Sequence, residues 1–166
     1  MAYEIERKFL VEKLDEKLLN LLASKVKHIE QSYLTPTKEF PVRRARKVIE
    51  KGEERFFFTL KRDVNGTFVR EEVESEITAN QYLELQKERD FVLNQIVKTR
   101  YVIEENGLAF ELDRFPFFPS FDVLEVELKW ENEQFELPSY FKVIKEVTSD
   151  YRFTNVSLAK EIPSDF

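Results

Sequence analysis

Charged residues recur on alternate positions along this chain: Glu4, Glu6 and Lys8; Arg44 and Arg46; Lys61; Arg70, Glu72, Glu74 and Glu76; Lys98 and Arg100; Glu111 and Asp113; Glu125, Glu127 and Lys129. Residues two apart in a β-strand share one face, so each group would turn its charges the same way. The signs are sorted by stretch, with arginine and lysine pairs in some runs and carboxylate pairs in others, whereas a surface evolved for solubility mixes them. Carboxylates are hard oxygen ligands for divalent cations, and guanidinium and ammonium groups are strong donors to phosphate oxygens. Gathered in one place, these residues would suit a metal-chelated polyphosphate.

Most of the chain alternates at period two, in runs rich in Val, Ile, Phe, Tyr and Thr, which predicts strands. Eight are expected, at 2–11, 27–35, 41–50, 54–62, 67–77, 94–104, 107–115 and 121–130, with hairpin turns at Asn65-Gly66 and Asn106-Gly107. Leu14, Leu18, Leu21 and Leu22 predict a helix over 14–26. A second, over 79–92, is capped by Thr78 and packs through Tyr82, Leu85 and Phe91. Further helices are expected at 139–147, after Pro138, and at 155–160. The 166 residues read as one domain over 1–166.

Two placements of the charged face compete. In ordinary half-buried strands it would point into water and the apolar face into a core. The helices, however, carry apolar stripes that must cover an apolar sheet surface. If that surface is the outside of a closed sheet, the charges line its lumen. Eight strands can close into a barrel whose interior holds side chains or one small ligand. Carboxylates enclosed in this way raise one another's pKa values unless cations neutralise them, and with no cysteine and one histidine, His28, the ion would be an oxygen-bound one, Mg²⁺ or Mn²⁺.

Composition excludes several classes. A net charge of −6 argues against general nucleic-acid binding. Three glycines, with neither a Walker A nor a G-x-G-x-x-G motif, leave phosphate binding to side chains. A serine-histidine-acid triad would have to run through His28 alone. Absence of cysteine fits a reducing cytoplasm, and no apolar h-region or run of about twenty apolar residues suggests export or a membrane. A cytoplasmic protein is expected. A homodimer, the commonest assembly among soluble oligomers, is left open.

The ordered set of motifs resembles the CYTH superfamily, the triphosphate tunnel metalloenzymes, and its short bacterial members in particular. The pieces are Glu4-Ile5-Glu6-Arg7-Lys8 followed by Phe9-Leu10-Val11, Gln31-Ser32-Tyr33-Leu34, Arg44-Ala45-Arg46 and Thr59-Leu60-Lys61. Arg70, Glu72 and Glu74 come next, then Lys98-Thr99-Arg100-Tyr101, Glu111-Leu112-Asp113, Glu125-Val126-Glu127, Glu146-Val147-Thr148, and Asn155 with Ser157-Leu158-Ala159. E-x-E-x-K alone is a weak motif; its order with the rest carries the resemblance.

The resemblance implies an α+β fold: an eight-stranded antiparallel β-barrel tunnel with helices packed outside. It also implies that Glu4, Glu6, Glu125 and Glu127, with Asp113 nearby, surround a divalent metal, Mg²⁺ or Mn²⁺. Lys8, Arg44, Arg46, Lys61, Lys98 and Arg100 would hold the triphosphate, Glu72 and Glu74 would complete the site, and Tyr33 would pair with Lys98 in catalysis. Pro116-Phe117-Phe118-Pro119 and Ser32 depart from the usual pattern, at rim positions that bear on substrate choice. The implied activity is metal-dependent hydrolysis of a small triphosphate, inorganic triphosphate first. A nucleoside or thiamine triphosphatase, an adenylate cyclase and a non-catalytic polyphosphate or nucleotide binder are the alternatives.

Overall fold

The computed structural model describes residues 2–64 and 69–164. Its strands are β1 (Ala2–Glu12), β2 (Lys25–Tyr33), β3 (Val42–Glu50), β4 (Glu53–Asp63), β5 (Val69–Ile77), β6 (Ile96–Glu105), β7 (Leu108–Arg114), β8 (Phe121–Glu127) and β9 (Val143–Glu146). Three helices join them: α1 (Glu16–Leu22), α2 (Ala79–Leu85) and α3 (Asn155–Lys160). The strands run in the order β5-β4-β3-β2-β6-β7-β8-β1, all antiparallel, and β1 closes the ring on β5. This is the closed eight-stranded barrel expected from the alternation.

Closure depends on how β1 divides its free edge. Ala2 to Ile5 pair with β5, whereas Phe9 to Val11 pair on the same side with β9. The barrel's seam is therefore shared between two partners, and β9 extends it. Outside the barrel, Phe9, Leu19, Tyr101, Phe110, Leu112, Leu124 and Phe141 form a core under α1. Tyr82 of α2 packs with Leu34 and Ala45. Apolar side chains thus face outward under α1 and α2; on the opposite parity Leu10, Tyr33, Ile96 and Val123 pack with Phe115, Phe118, Phe153 and Leu158 as a further core, and the charges take the rest of the lumen.

Several local expectations need correction. Residues 139–147 are not helical: Val143–Glu146 is β9, recruited by the open edge of β1, while Tyr140 and Phe141 pack on the outer core. Helix α1 stops at Leu22, because the backbone of Ser24 is drawn to the carbonyl of Val102 at 2.8 Å. Its buried residue is Leu19, while Leu21 is 84% exposed. The turn expected at Asn106-Gly107 is present, both residues in the left-handed region. A matching turn at Lys51-Gly52, φ 53° and 76°, joins β3 to β4 where the glycine tolerates a conformation costly for other residues.

The second helix keeps its capping box, Thr78 with Gln81, but ends at Leu85 and tightens into a 3-10 turn, Gln86–Glu88. Phe91, expected to pack beneath the helix, is exposed, with the Arg89 guanidinium over its ring. Strand β8 ends at Glu127, so Lys129 and Trp130 lie beyond it and Trp130 stays exposed. The Asn65-Gly66 turn falls outside the described residues. Among the described residues no helix is long and apolar enough to cross a membrane.

Candidate active site

Inward parity brings the sequence-selected charges to one cavity of 260 Å³ inside the barrel. Glu4, Glu6 and Lys8 of β1, Arg44 and Arg46 of β3, and Lys61 of β4 line it, with Arg70, Glu72 and Glu74 of β5, Arg100 of β6, Glu111 of β7 and Glu125 and Glu127 of β8. Tyr33 lies on its wall as well. A second space of 300 Å³, between Lys8, Arg70 and Thr148 to Tyr151, adjoins one end. Another of 260 Å³, lined by Lys27, Ile29, Val48 and Phe57, adjoins the other through the shared Arg46 and Arg100. The lumen is therefore a tunnel.

Register puts like charges face to face. Glu6 stands opposite Glu127 across β1 and β8, and Glu111 opposite Glu125 across β7 and β8; directly opposed like charges destabilise a sheet. Part of the repulsion is relieved by lysines. Lys61 Nζ donates to Glu4 at 2.9 Å and lies 3.5 Å from Glu72, and Lys8 Nζ lies 3.3 Å from Glu125.

The consequences show in the protonation states. Burial works against ionising Glu4 and Glu125, yet Lys61 beside the one and Lys8 beside the other hold both carboxyls well below the usual range. Glu6 has no ion pair among the described residues: enclosure in the barrel, reinforced by Glu125 and Glu4, outweighs the lowering by Lys8 and Lys61 and pushes it up to about 8. Burial, a hydrogen bond with Glu4 and Glu4's charge raise Glu72 to about 7, and burial with Glu4 nearby raises Glu127. Glu72 Oε2 is buried and lacks a hydrogen-bond partner.

Glu6 therefore gives a test of the metal-free protein. A carboxyl at about 8 when folded and 4.5 when unfolded binds its proton more tightly in the folded state, so stability falls as pH rises between those values. Glu6→Gln should raise the melting temperature at pH 8.5 in chelator by about 4–8 °C, corresponding to about 2 kcal/mol, and leave it unchanged at pH 4. A gain of equal size at both pH values would show that Glu6 does not carry this strain.

The basic residues differ in their partners. Arg44 Nη2 donates to Thr59 Oγ1 at 3.2 Å and lies 3.5 Å from Glu74, which in turn accepts from Thr59 at 2.8 Å. Arg44 Nε is buried without a partner. Arg100 grips Asp113 at 2.7 and 2.8 Å and Glu111 at 3.1 Å. Among the described residues Arg46 has no carboxylate partner; its Nε and Nη2 both donate to the amide oxygen of Gln31, at 3.1 and 2.9 Å. Enclosure, with Arg44 and Arg100 close by, brings Arg46 down to about 9.

Two expectations about the site are revised. Asp113, expected beside a metal, does not line the cavity. Its carboxylate is fully buried and both oxygens are taken, Oδ1 by Arg100 and Oδ2 by Lys98 Nζ at 2.7 Å and by Arg100. Lys98 is equally enclosed, and burial with Arg100 beside it lowers it to about 7 in spite of Asp113. Tyr33 and Lys98 do not pair. Lys98 donates to Asp113 and to Asn155 Oδ1 at 3.2 Å, while the Tyr33 hydroxyl accepts from Gln31 Nε2 at 2.9 Å.

Sequence reasoning missed Lys27, and it quoted Gln31, Thr59 and Asn155 as motif pieces without giving them a place in the site. Lys27 and Gln31 share the inward parity of Tyr33 on β2, and Thr59 shares that of Lys61 on β4; counting back by two from either anchor would have found them. Asn155 reaches the wall from α3, and no strand pattern could have signalled it.

A closed β-barrel whose lumen carries paired acids and bases defines a tunnel protein built to receive a cation together with a polyanion. The chain belongs to the CYTH domain family, whose model matches residues 2–161. It is similar to the inorganic triphosphatase NE1496, at 31% identity over 99% of each chain with a TM-score of 0.58. Protein PH1819 from Pyrococcus horikoshii OT3 shares the fold at 23% identity, covering 78% of this chain and 80% of that one with a TM-score of 0.57. The same holds for HpAC1 from Hippeastrum, a putative adenylyl cyclase with a dominant triphosphatase activity, at 19% identity, 76% and 80% coverage and a TM-score of 0.55. Among curated proteins none matches.

Proposed function

We propose that this chain hydrolyses inorganic triphosphate in its tunnel with a divalent cation as cofactor. The observation that carries this reading is a 260 Å³ cavity walled by charges of both signs. Its volume falls just short of the roughly 300–1,000 Å³ of drug-sized ligand sites, and it suits a short chain of phosphates. The 31% identity with an inorganic triphosphatase supports the same substrate.

The acids fit a divalent cation. Their donors are oxygen only, Glu72 Oε2 is buried without a hydrogen bond among the described residues, and burial with neighbouring carboxylates raises Glu6 and Glu127. Among the described residues no three stand close enough to enclose an ion, since Lys61 and Lys8 still hold Glu4 and Glu125; phosphates drawing those lysines away would free the carboxylates. Glu4, Glu6, Glu125 and Glu127 would hold the ion, Mg²⁺ or Mn²⁺, while Asp113 positions Lys98 and Arg100. Bound there, it supplies a Lewis acid to phosphate oxygens and neutralises their charge.

The chain's own residues do the rest. Arg44, Arg46, Arg100, Lys8 and Lys61 hold the phosphates and stabilise charge developing on the leaving oxygen. Water attacks the terminal phosphorus, the bridging P–O bond breaks, and pyrophosphate leaves. Glu72, poised at about 7, takes the water's proton. Glu74, fixed by Thr59 and Arg44, orients the water, while Lys98, enclosed against Asp113 and Asn155, supports Arg100 from beneath the cavity wall.

A triphosphate bearing an organic group has one observation in its favour: Ile29, Val48 and Phe57 put apolar surface at the mouth beside Arg46. A panel of inorganic triphosphate, nucleoside triphosphates and thiamine triphosphate, with Mg²⁺ or Mn²⁺, decides. Inorganic triphosphate should give the highest kcat/KM, releasing phosphate and pyrophosphate. Cyclic nucleotide as the main product would replace the reading with a cyclase, and metal-dependent binding without turnover would replace it with a binding module.

A further inference from the structure

Gln31 is fully buried on the inward face of β2, and its hydrogen bonds admit one orientation. Arg46 can only donate, so the amide oxygen must face the guanidinium and the amide nitrogen must face the Tyr33 hydroxyl. The distances agree: 3.1 and 2.9 Å from Arg46 Nε and Nη2 to Oε1, and 2.9 Å from Nε2 to Tyr33 Oη. Tyr33 Oη therefore accepts, and its own proton points elsewhere. Among the described residues no acceptor takes it, and Tyr33 lines the cavity.

A contrast gives this arrangement its meaning. Lys8, Arg44, Lys61 and Arg100 each have a carboxylate within 3.7 Å. Arg46 alone of the proposed phosphate-binding set is held by a neutral amide, so it is fixed in place while its charge stays uncompensated.

Resting on the triphosphate reading above, we infer that Gln31 is a positioning residue that presets two donors for one phosphate group: the Arg46 guanidinium, clamped without being neutralised, and the Tyr33 hydroxyl, whose proton it directs into the tunnel. A carboxylate at this place would hold Arg46 more tightly and spoil it as an anion anchor. A hydrophobic residue would free both donors to reorient.

The roles separate when affinity and stability are measured together. Tripolyphosphate binding by titration calorimetry and the melting temperature should be compared for wild type, Gln31→Glu, Gln31→Met and Tyr33→Phe. Gln31→Glu should melt at or above the wild-type temperature and bind at least tenfold more weakly. Gln31→Met should melt lower and lose less affinity than Gln31→Glu, and its loss should shrink to under twofold in an Arg46→Ala background. In turnover the effect should fall on KM more than on kcat. A purely structural Gln31 predicts the reverse order, with the methionine variant worst in both measurements, and that result overturns the inference. Wild-type binding with Gln31→Glu within twofold of it overturns the Gln31 assignment alone; a wild type that neither binds nor cleaves tripolyphosphate overturns the functional reading as well.

Discussion

Arg46→Ala should lower kcat/KM for inorganic triphosphate by about a hundredfold, or roughly 3 kcal/mol of transition-state stabilisation, and should leave the melting temperature unchanged or slightly higher. Both halves follow from its surroundings. The guanidinium sits near Arg44 and Arg100, has no carboxylate of its own, and is already brought down to about 9 by enclosure and those neighbours. Its removal relieves the fold of an unfavourable charge and deprives the phosphates of their least compensated donor. Arg46→Lys should recover part of the activity, because an ammonium restores the charge but not the two-pronged hydrogen bonding of a guanidinium. Steady-state kinetics with a melting curve on each variant tests this, and a variant that loses stability but keeps its rate would remove Arg46 from the site.

The tunnel was legible because a strand's two-residue period leaves little freedom. Once Glu4, Glu6 and Lys8 share a face and a helix must cover the other, only the lumen remains for the charges, and β-strands from Ala2 to Glu127 obey that rule. What stayed hidden was set by tertiary pairing. Val143–Glu146 carries a pattern that suits a helical turn, and it became a strand because β1 offered an unpaired edge beside Phe9 to Val11. Of the expected stripe Leu14, Leu18, Leu21 and Leu22, Leu14 and Leu22 pack against the core, but Leu18 and Leu21 are exposed and Leu19 is the fully buried residue of α1, because the helix is only seven residues long and its exit toward Val102 sets its rotation. Within the site, side-chain type announced acids and bases but not who holds whom. Gln31 stood in a quoted motif but carried no charge to suggest its hold on Arg46, and Asp113 shared the parity of the cavity acids while lying out of the cavity's reach.

Asp113 leads to the largest expected effect on stability. Its carboxylate and the Lys98 ammonium both have 0% side-chain exposure at 2.7 Å separation, with Arg100 closing on the same carboxylate. Burial alone would raise this acid, but the charges of Arg100 and Lys98 hold it below the ordinary range. Asp113→Asn keeps the volume and removes the anion, so two cations remain without their shared counter-ion. Breaking a buried pair from one side costs about 3–5 kcal/mol, which for a chain of this size is a fall of about 6–20 °C in melting temperature. Lys98, already lowered to about 7, would respond by losing its proton, and the damage should therefore be smaller at pH 9 than at pH 6. Lys98→Met added to Asp113→Asn should recover a substantial part of the loss, since it removes one of the two stranded charges, whereas a metal ligand at position 113 would leave the metal-free protein nearly indifferent to the substitution. Melting curves in chelator, at both pH values and for both variants, separate the two roles: a single-variant shift under about 2 °C would return Asp113 to the metal, and a large one relieved by Lys98→Met fixes it as the anion on which the floor of the tunnel is built.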